Sequence, residues 1–306
     1  MPIRAAITKL AFDVVRDKAP DGVDVVPFED GVELEEIDFL VPPVGPSDLV
    51  DQLPSLERLA VVQVLSAGTD RFEDAMPPQA TLCSARGARD GPVAEWIAGA
   101  LLGVSSGLLA CARDRTWERY RVQDLESWRI LIVGMGSIGH LVAERLAAFG
   151  SDVVGVASHA HDGLRGVDEL SQLLPTADAV VLLTPLSEST RGLIGTAELA
   201  AMRDGAVLVN AARGPVVDTE ALVREVGRGR LRAVLDVTDP EPLPEDHPLW
   251  TAPGVLAITP HVAGDSPLAG IRAAELAADQ LVRWRNGEEL RNVVVAASRP
   301  APSVRS

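Results

Sequence analysis

The sequence predicts an α/β protein built on a doubly wound parallel sheet. Three observations carry that prediction. A strand, a glycine turn and a helix follow one another at Ile130-Leu131-Ile132-Val133-Gly134-Met135-Gly136-Ser137-Ile138-Gly139. Short apolar runs then recur at regular intervals with helical segments between them, the rhythm of a parallel sheet. Each later run ends in a polar or turn-forming cluster, at the strand ends where open α/β sheets bind ligands.

The glycine unit indicates what binds. The run 130–133 is apolar and mostly β-branched, as a buried strand requires. Residues 140–149 have the pattern of a helix, with Leu141, Val142, Leu146 and Ala147 on its apolar side. Gly134 permits the tight turn, Gly136 lets the backbone approach a pyrophosphate, and Gly139 lets helix and strand pack closely. The first helical turn, including Ser137 and Ile138, offers unpaired N–H groups and a partial positive charge to phosphates. The glycine spacing alone is a weak signal. Flanked by this strand and this helix, it predicts a dinucleotide site.

The bulk properties bound the remaining classes. A chain of 306 residues is long enough for two domains. Hydrophobic residues make up 47% and charged residues 24%, a globular composition. No apolar run reaches the ~18 residues of a membrane span. The start, Met1-Pro2-Ile3-Arg4, lacks the apolar core of a signal peptide. Cys83 and Cys111 lie in apolar contexts without metal-ligand spacing, so both are expected as buried, reduced thiols of a cytoplasmic protein, and no metal is expected. A net charge of −16 argues against nucleic acid and acidic membranes as partners, while leaving room for a local cationic pocket.

Residues 1–92 show strand candidates at 23–26, 37–41, 59–65 and 80–83, with a proline-marked loop at Pro42, Pro43 and Pro46. Ser66-Ala67-Gly68-Thr69-Asp70 follows the third of these and could offer backbone N–H groups to an anion; an ordinary strand-to-helix turn is the alternative. Asp90-Gly91-Pro92 marks a helix start. One long helix is expected over 93–112, with Val93, Trp96, Ile97, Ala100, Leu101, Val104 and Leu108 on one stripe. It links the two halves and faces a core or a subunit contact. After the glycine unit, strands are expected at 153–157, 179–183, 206–210, 233–237 and 255–258, completing a six-stranded Rossmann sheet. The tail after Ser298 is expected to fray.

Three of these strand ends carry complementary chemistry. Asn210-Ala211-Ala212-Arg213-Gly214-Pro215 follows one, Asp236-Val237-Thr238-Asp239-Pro240-Glu241-Pro242 the next, and Thr259-Pro260-His261 the last. Arg213 can grip a carboxylate with two hydrogen bonds and polarise the adjacent carbonyl. His261 can deliver a proton to that carbonyl oxygen as hydride arrives, and Glu241 can fix the tautomer of the histidine and stabilise its charged form. Singly, each has an ordinary structural explanation. Together, at neighbouring ends of one nucleotide-binding sheet, they point to an active site.

With these residues in view, the chain resembles the D-isomer-specific 2-hydroxyacid dehydrogenases, a family that includes glyoxylate/hydroxypyruvate reductases and phosphoglycerate dehydrogenases. The resemblance runs from the Ser66-to-Asp70 loop through Val93-Ala94-Glu95, the glycine turn, Thr184-Pro185-Leu186 and the three strand-end motifs to Leu290-Arg291-Asn292-Val293-Val294. It implies that Arg213, Glu241 and His261 are catalytic, and that Ala67 and Gly68 contact the substrate carboxylate through their backbone. It also implies that Asp236 contacts the nicotinamide carboxamide, and that Thr184, Ala211, Ala212, Arg213 and His261 line the cofactor. It further implies a smaller, flavodoxin-like substrate domain, 1–92, completed by 267–306 with a helix at 267–286. A dinucleotide-binding domain over 93–266 and a homodimer complete the picture.

The choice of cofactor turns on the end of the second strand of the coenzyme domain. An acid there would bind the ribose hydroxyls of NAD. This chain has Ala157, followed by Ser158 and His159, which can hydrogen-bond a 2′-phosphate. NADP(H) is therefore favoured, with NAD(H) as the alternative, because no arginine directly follows Ser158 or His159. The short chain suits reduction of glyoxylate or hydroxypyruvate, or another small 2-oxo acid, by family analogy. The reading from another class is a nucleotide-sensing, corepressor-like binding protein with the same fold.

Overall fold

The computed structural model describes residues 3–29, 32–45, 48–117, 119 and 122–299; Pro46 and the tail beyond residue 299 lie outside them. Its strands, in chain order, are β1 (Ile3–Ile7), β2 (Val23–Pro27), β3 (Phe39–Val41), β4 (Val61–Gln63), β5 (Thr81–Cys83), β6 (Arg129–Val133), β7 (Asp152–Ala157), β8 (Arg165–Gly166), β9 (Ala179–Leu182), β10 (Val207–Asn210), β11 (Arg232–Leu235), β12 (Val255–Ile258) and β13 (Val293–Val295). They form two sheets in two compact units, Met1–Arg89 with Asp265–Ser306, and Asp90–Gly264.

The first unit has strand order β13-β5-β4-β3-β1-β2, parallel except for the antiparallel edge strand β13. The order β2-β1-β3-β4-β5 within it is that of a flavodoxin-like sheet. Its central strands are buried on both faces, which is why they are continuous apolar runs. Ala5, Ile7, Phe39, Val41 and Val61 face one core, and Ala6, Leu40 and Val62 the other. The helix Pro267–Asn286 lays Ala273, Ala274, Ala277, Ala278 and Leu281 on the first of these cores. Alanines on that stripe let the helix approach the sheet closely.

A buried amide pair ties this returning helix to β4. Gln280 donates from Nε2 to the Oε1 of Gln63 at 3.1 Å and to the carbonyl of Arg291 at 2.8 Å, while its Oε1 accepts from the Arg291 N–H at 2.8 Å. Both glutamines are fully buried, so each lost partner leaves a polar group without water. Gln280→Ala is expected to cost about 2–4 kcal/mol of stability, read from the urea midpoint. An unchanged midpoint would mean that these groups find other partners.

The second unit holds a sheet of order β12-β11-β10-β9-β6-β7-β8, parallel throughout. Helices cover both faces, giving two cores. The strand order turns back between β6 and β9, the switch point at which doubly wound sheets bind ligands. The pairing register puts Arg165, Val156, Val133, Leu182, Asn210, Leu235 and Ile258 in one transverse row. The loops that leave β6, β7, β9, β10, β11 and β12 therefore all start at one level on the carboxyl edge.

Several sequence expectations change. The coenzyme sheet has a seventh strand, the two-residue β8. β1 and β13 are also strands beyond the expected set: β1 carries two alanines, and β13 pairs only at an edge. The helix expected over 93–112 is two helices, Asp90–Ser105 and Leu108–Asp114, bent by 75°. Gly107 between them has φ 72°, a left-handed conformation that ends the first helix, and Leu108 is exposed instead of continuing the stripe. The bend also leaves Cys111 exposed. Cys83 is buried as expected, and burial pushes its thiol up to about 11. No single helix among the described residues is long and apolar enough to cross a membrane.

Candidate active site

The glycine turn separates into two structural glycines and one open one. Gly134 has φ 110°, and a Cβ there would lie 2.6 Å from the backbone of Leu183, at the end of β9. A Cβ on Gly139 would lie 2.3 Å from the carbonyl oxygen of Gly134. These two are glycines because the chain itself fills the space. A Cβ on Gly136 would meet nothing within 4 Å. The opening above Gly136 leads onto the first turn of helix Ser137–Ala147, whose cap lacks a side-chain hydrogen bond. The N–H groups of Ser137 and Ile138 have no acceptor among the described residues. Across the switch point, the buried Oγ1 of Thr184 also has no hydrogen-bond partner. An open backbone, free amides and an orphaned hydroxyl at one switch point fit a dinucleotide phosphate group and its neighbours.

Arg213 leaves β10 on a braced loop. The buried Asn210 accepts from the Ala212 N–H at 3.0 Å and donates to the carbonyl of Arg213 at 3.1 Å. Arg213 itself is half-buried and donates to the carbonyl of Ala212 at 2.7 Å. Gly214 then lies against the next loop: a Cβ there would be 1.9 Å from the carbonyl oxygen of Thr238. Only glycine allows the Arg213 loop and the loop carrying Glu241 to run together.

His261 is held in an uncommon conformation. Its φ is 56°, in the left-handed region that costs a non-glycine residue about 1–3 kcal/mol. The surroundings that impose it centre on Asp236, which is buried at 3% exposure. Its Oδ1 accepts from Thr259 Oγ1 at 2.6 Å and from the Val262 N–H at 2.9 Å, and its Oδ2 accepts from the Ala263 N–H at 3.0 Å. The Asp236 carbonyl accepts from the His261 N–H at 2.8 Å. So held, the His261 Nδ1 lies 2.7 Å from Glu241 Oε1. A carboxylate at Nδ1 selects the tautomer with the proton on Nδ1 and leaves Nε2 for chemistry. Both side chains remain nearly half exposed. A carboxylate has about four acceptor positions. Three are filled, so Oδ2 of Asp236 retains one for a further donor.

At the other end of the sheet, Ser158 and His159 are exposed just beyond Ala157. In the first unit, Ala67 and Gly68 lie half-buried on the loop after β4, which is closed by the Ser66 hydroxyl donating to the carbonyl of Gly68 at 2.7 Å. The amides of Ala67 and Gly68 have no acceptor among the described residues. The second unit thus gathers Gly134 to Gly139, Thr184, Ala211 to Arg213, Asp236, Glu241 and His261 along one sheet edge, and Ala67 and Gly68 belong to the first unit. Sequence reasoning gave Asn210 and Gly214 no role, although both stand within a quoted motif. The bracing role of Asp236 depends on donors more than twenty residues away, and no local pattern reports it.

Comparison with known proteins gives the family. Residues 106–263 match the model of the D-isomer specific 2-hydroxyacid dehydrogenase NAD-binding domain. A D-3-phosphoglycerate dehydrogenase of Methanocaldococcus jannaschii is 30% identical over 86% of the chain, which spans only 52% of that relative's length. A glyoxylate reductase of Thermofilum pendens is 32% identical, covering 85% of this chain and 81% of its own. Among solved structures, a D-isomer specific 2-hydroxyacid dehydrogenase from Xanthobacter autotrophicus Py2, in complex with NADPH and MES, superposes with a TM-score of 0.81. It is 26% identical and covers 96% of this chain and 98% of its own. The chain belongs to the D-isomer-specific 2-hydroxyacid dehydrogenase family, the NAD(P)-dependent oxidoreductases of two α/β units.

Proposed function

We propose that the protein reduces a small 2-oxo acid, glyoxylate or hydroxypyruvate, to the 2-hydroxy acid at the expense of NADPH. The observation that carries this reading is the Glu241–His261 pair, 2.7 Å apart and fixed by Asp236 at the carboxyl edge of a dinucleotide-binding sheet. A bound nicotinamide dinucleotide supplies the hydride. The turn Gly134 to Gly139 would hold its pyrophosphate, Thr184 and Ala211 to Arg213 would line it, and the remaining acceptor on Asp236 would take its carboxamide. The guanidinium of Arg213 binds the substrate carboxylate and polarises the neighbouring carbonyl. The amides of Ala67 and Gly68 are proposed as further carboxylate donors. His261 gives its Nε2 proton to the carbonyl oxygen as the alkoxide forms, and Glu241 stabilises the charge pattern on the ring while holding its orientation.

NADPH over NADH is supported by Ala157, which leaves the second-strand end without the acid that would repel a 2′-phosphate. The bound NADPH of the Xanthobacter relative supports the same choice. Glyoxylate as substrate is supported by the Thermofilum relative. A cytoplasmic homodimer without nucleic-acid or membrane partners completes the reading. It rests on family organisation and the net charge of −16, and sedimentation checks the dimer.

The test is nicotinamide oxidation at 340 nm over a panel of 2-oxo acids, with each cofactor. Turnover at about 1–10³ s⁻¹ with glyoxylate or hydroxypyruvate, at higher kcat/KM with NADPH, is expected. Better use of NADH would reverse the cofactor assignment. Nucleotide binding with no turnover on any member would instead identify a corepressor-like nucleotide sensor.

A further inference from the structure

We propose that Arg165, on β8, is the residue that selects the phosphorylated nucleotide, taking the 2′-phosphate together with Ser158 and His159. The inference rests on the reading that this unit binds a nicotinamide dinucleotide. It adds the cation that the sequence around Ser158 and His159 lacks.

The placement comes from the sheet. Arg165 follows Ala157 by eight positions, yet it is the Cα partner of Val156, and Gly166 is the partner of Ala157. Arg165 therefore stands one strand away from the position where a ribose-binding acid would sit. The fold reaches this by a tight turn. Asp162 and Gly163 have φ 47° and 82°, and the Leu164 N–H donates to the carbonyl of His161 at 2.7 Å. Positive φ at both central positions is the signature of a two-residue reversal, and Asp-Gly is a favoured sequence for it. The reversal pairs His161 with Leu164 and turns the chain into β8, which runs parallel to β7 with Arg165 at the sheet edge.

A second contact closes the group. A Cβ on Gly166 would lie 3.3 Å from the backbone nitrogen of Ala160, so the loop that carries Ser158 and His159 leans directly over β8. Ser158, His159 and Arg165 are all exposed around that contact. Two of the acids nearby are already engaged. Glu169 accepts from the Gly166 N–H at 3.1 Å with one oxygen and pairs with Arg165 at 3.2 Å with the other, and Asp162 pairs with His161 at 3.3 Å. Asp168 also packs against Gly166. The Arg165–Glu169 pair is solvent-exposed and weak, whereas a phosphate dianion accepts two hydrogen bonds from one guanidinium. Arg165 can therefore exchange its carboxylate for the phosphate.

The test is calorimetric titration of the full chain with 2′,5′-ADP and with 5′-AMP, which differ at the 2′-position by the phosphate in question. The wild type is expected to bind 2′,5′-ADP the more tightly. Arg165→Ala and Arg165→Gln are each expected to weaken 2′,5′-ADP by at least about tenfold, with 5′-AMP unchanged. The glutamine variant keeps the aliphatic stem, so equal losses in the two variants assign the effect to the charge and not to packing. Unchanged 2′,5′-ADP binding in both variants overturns the proposal, as does an equal loss for both nucleotides. If the wild type binds neither nucleotide, the dinucleotide reading itself fails, an outcome distinct from selective failure of Arg165.

Discussion

Replacing His261 by alanine is expected to lower kcat by about 10²–10⁴, the usual contribution of a positioned general acid. The fold should survive the change, because the side chain is 46% exposed and its contact with Glu241 lies at the surface. Thermal melting within a few degrees of the wild type would separate lost chemistry from lost structure. Turnover near the wild-type value would remove His261 from the acid role. Glu241→Gln offers a graded comparison. It keeps an oxygen acceptor for the His261 Nδ1–H and removes only the charge, so turnover should fall less than in His261→Ala. Turnover equal to the wild type in Glu241→Gln would show that the histidine does not need the Glu241 carboxylate.

What was legible in the sequence follows the physics of each element. Six of the seven coenzyme-sheet strands are continuous apolar runs, because a parallel sheet covered on both faces needs no alternation. The seventh, Arg165–Gly166, has only two residues, an arginine and a glycine, and no apolar run marks its pairing with β7. The same distinction holds at the site. Arg213, Glu241 and His261 are visible because each stands just beyond a strand that the pattern locates. The supports are not visible in that way. Asn210 bends back on its own loop, Gly214 is required by a carbonyl on the next strand's loop, and Asp236 collects donors from beyond β12. The break at Gly107 was hidden because apolar spacing continues through it, while the left-handed backbone does not. Periodicity reports which face is buried; it does not report where the axis turns.

Asp236→Ala is expected to be the most damaging single change away from the catalytic pair, losing both stability and activity. The carboxylate satisfies three donors, from Thr259, Val262 and Ala263, and lies almost wholly out of water. The Thr259 hydroxyl can rotate to another acceptor, but leaving the two N–H groups unpaired costs about 1–3 kcal/mol each, so a loss of about 2–6 kcal/mol is expected in urea denaturation. Activity should fall by at least about 10²-fold, because the left-handed turn at His261 persists only while its surroundings impose it. Asp236→Asn discriminates between the two effects. Its single amide oxygen can keep the two donors now on Oδ1, but its NH₂ would face the Ala263 N–H, where no acceptor remains. The expected order, in stability and in kcat alike, is therefore wild type, then Asn, then Ala. If Asp236→Ala lost stability yet kept wild-type turnover, the His261 loop would be holding its own conformation, and Asp236 would be a structural residue only. If the Asn variant kept both properties, the acceptor at Oδ2 would be dispensable, and with it the place reserved for the carboxamide.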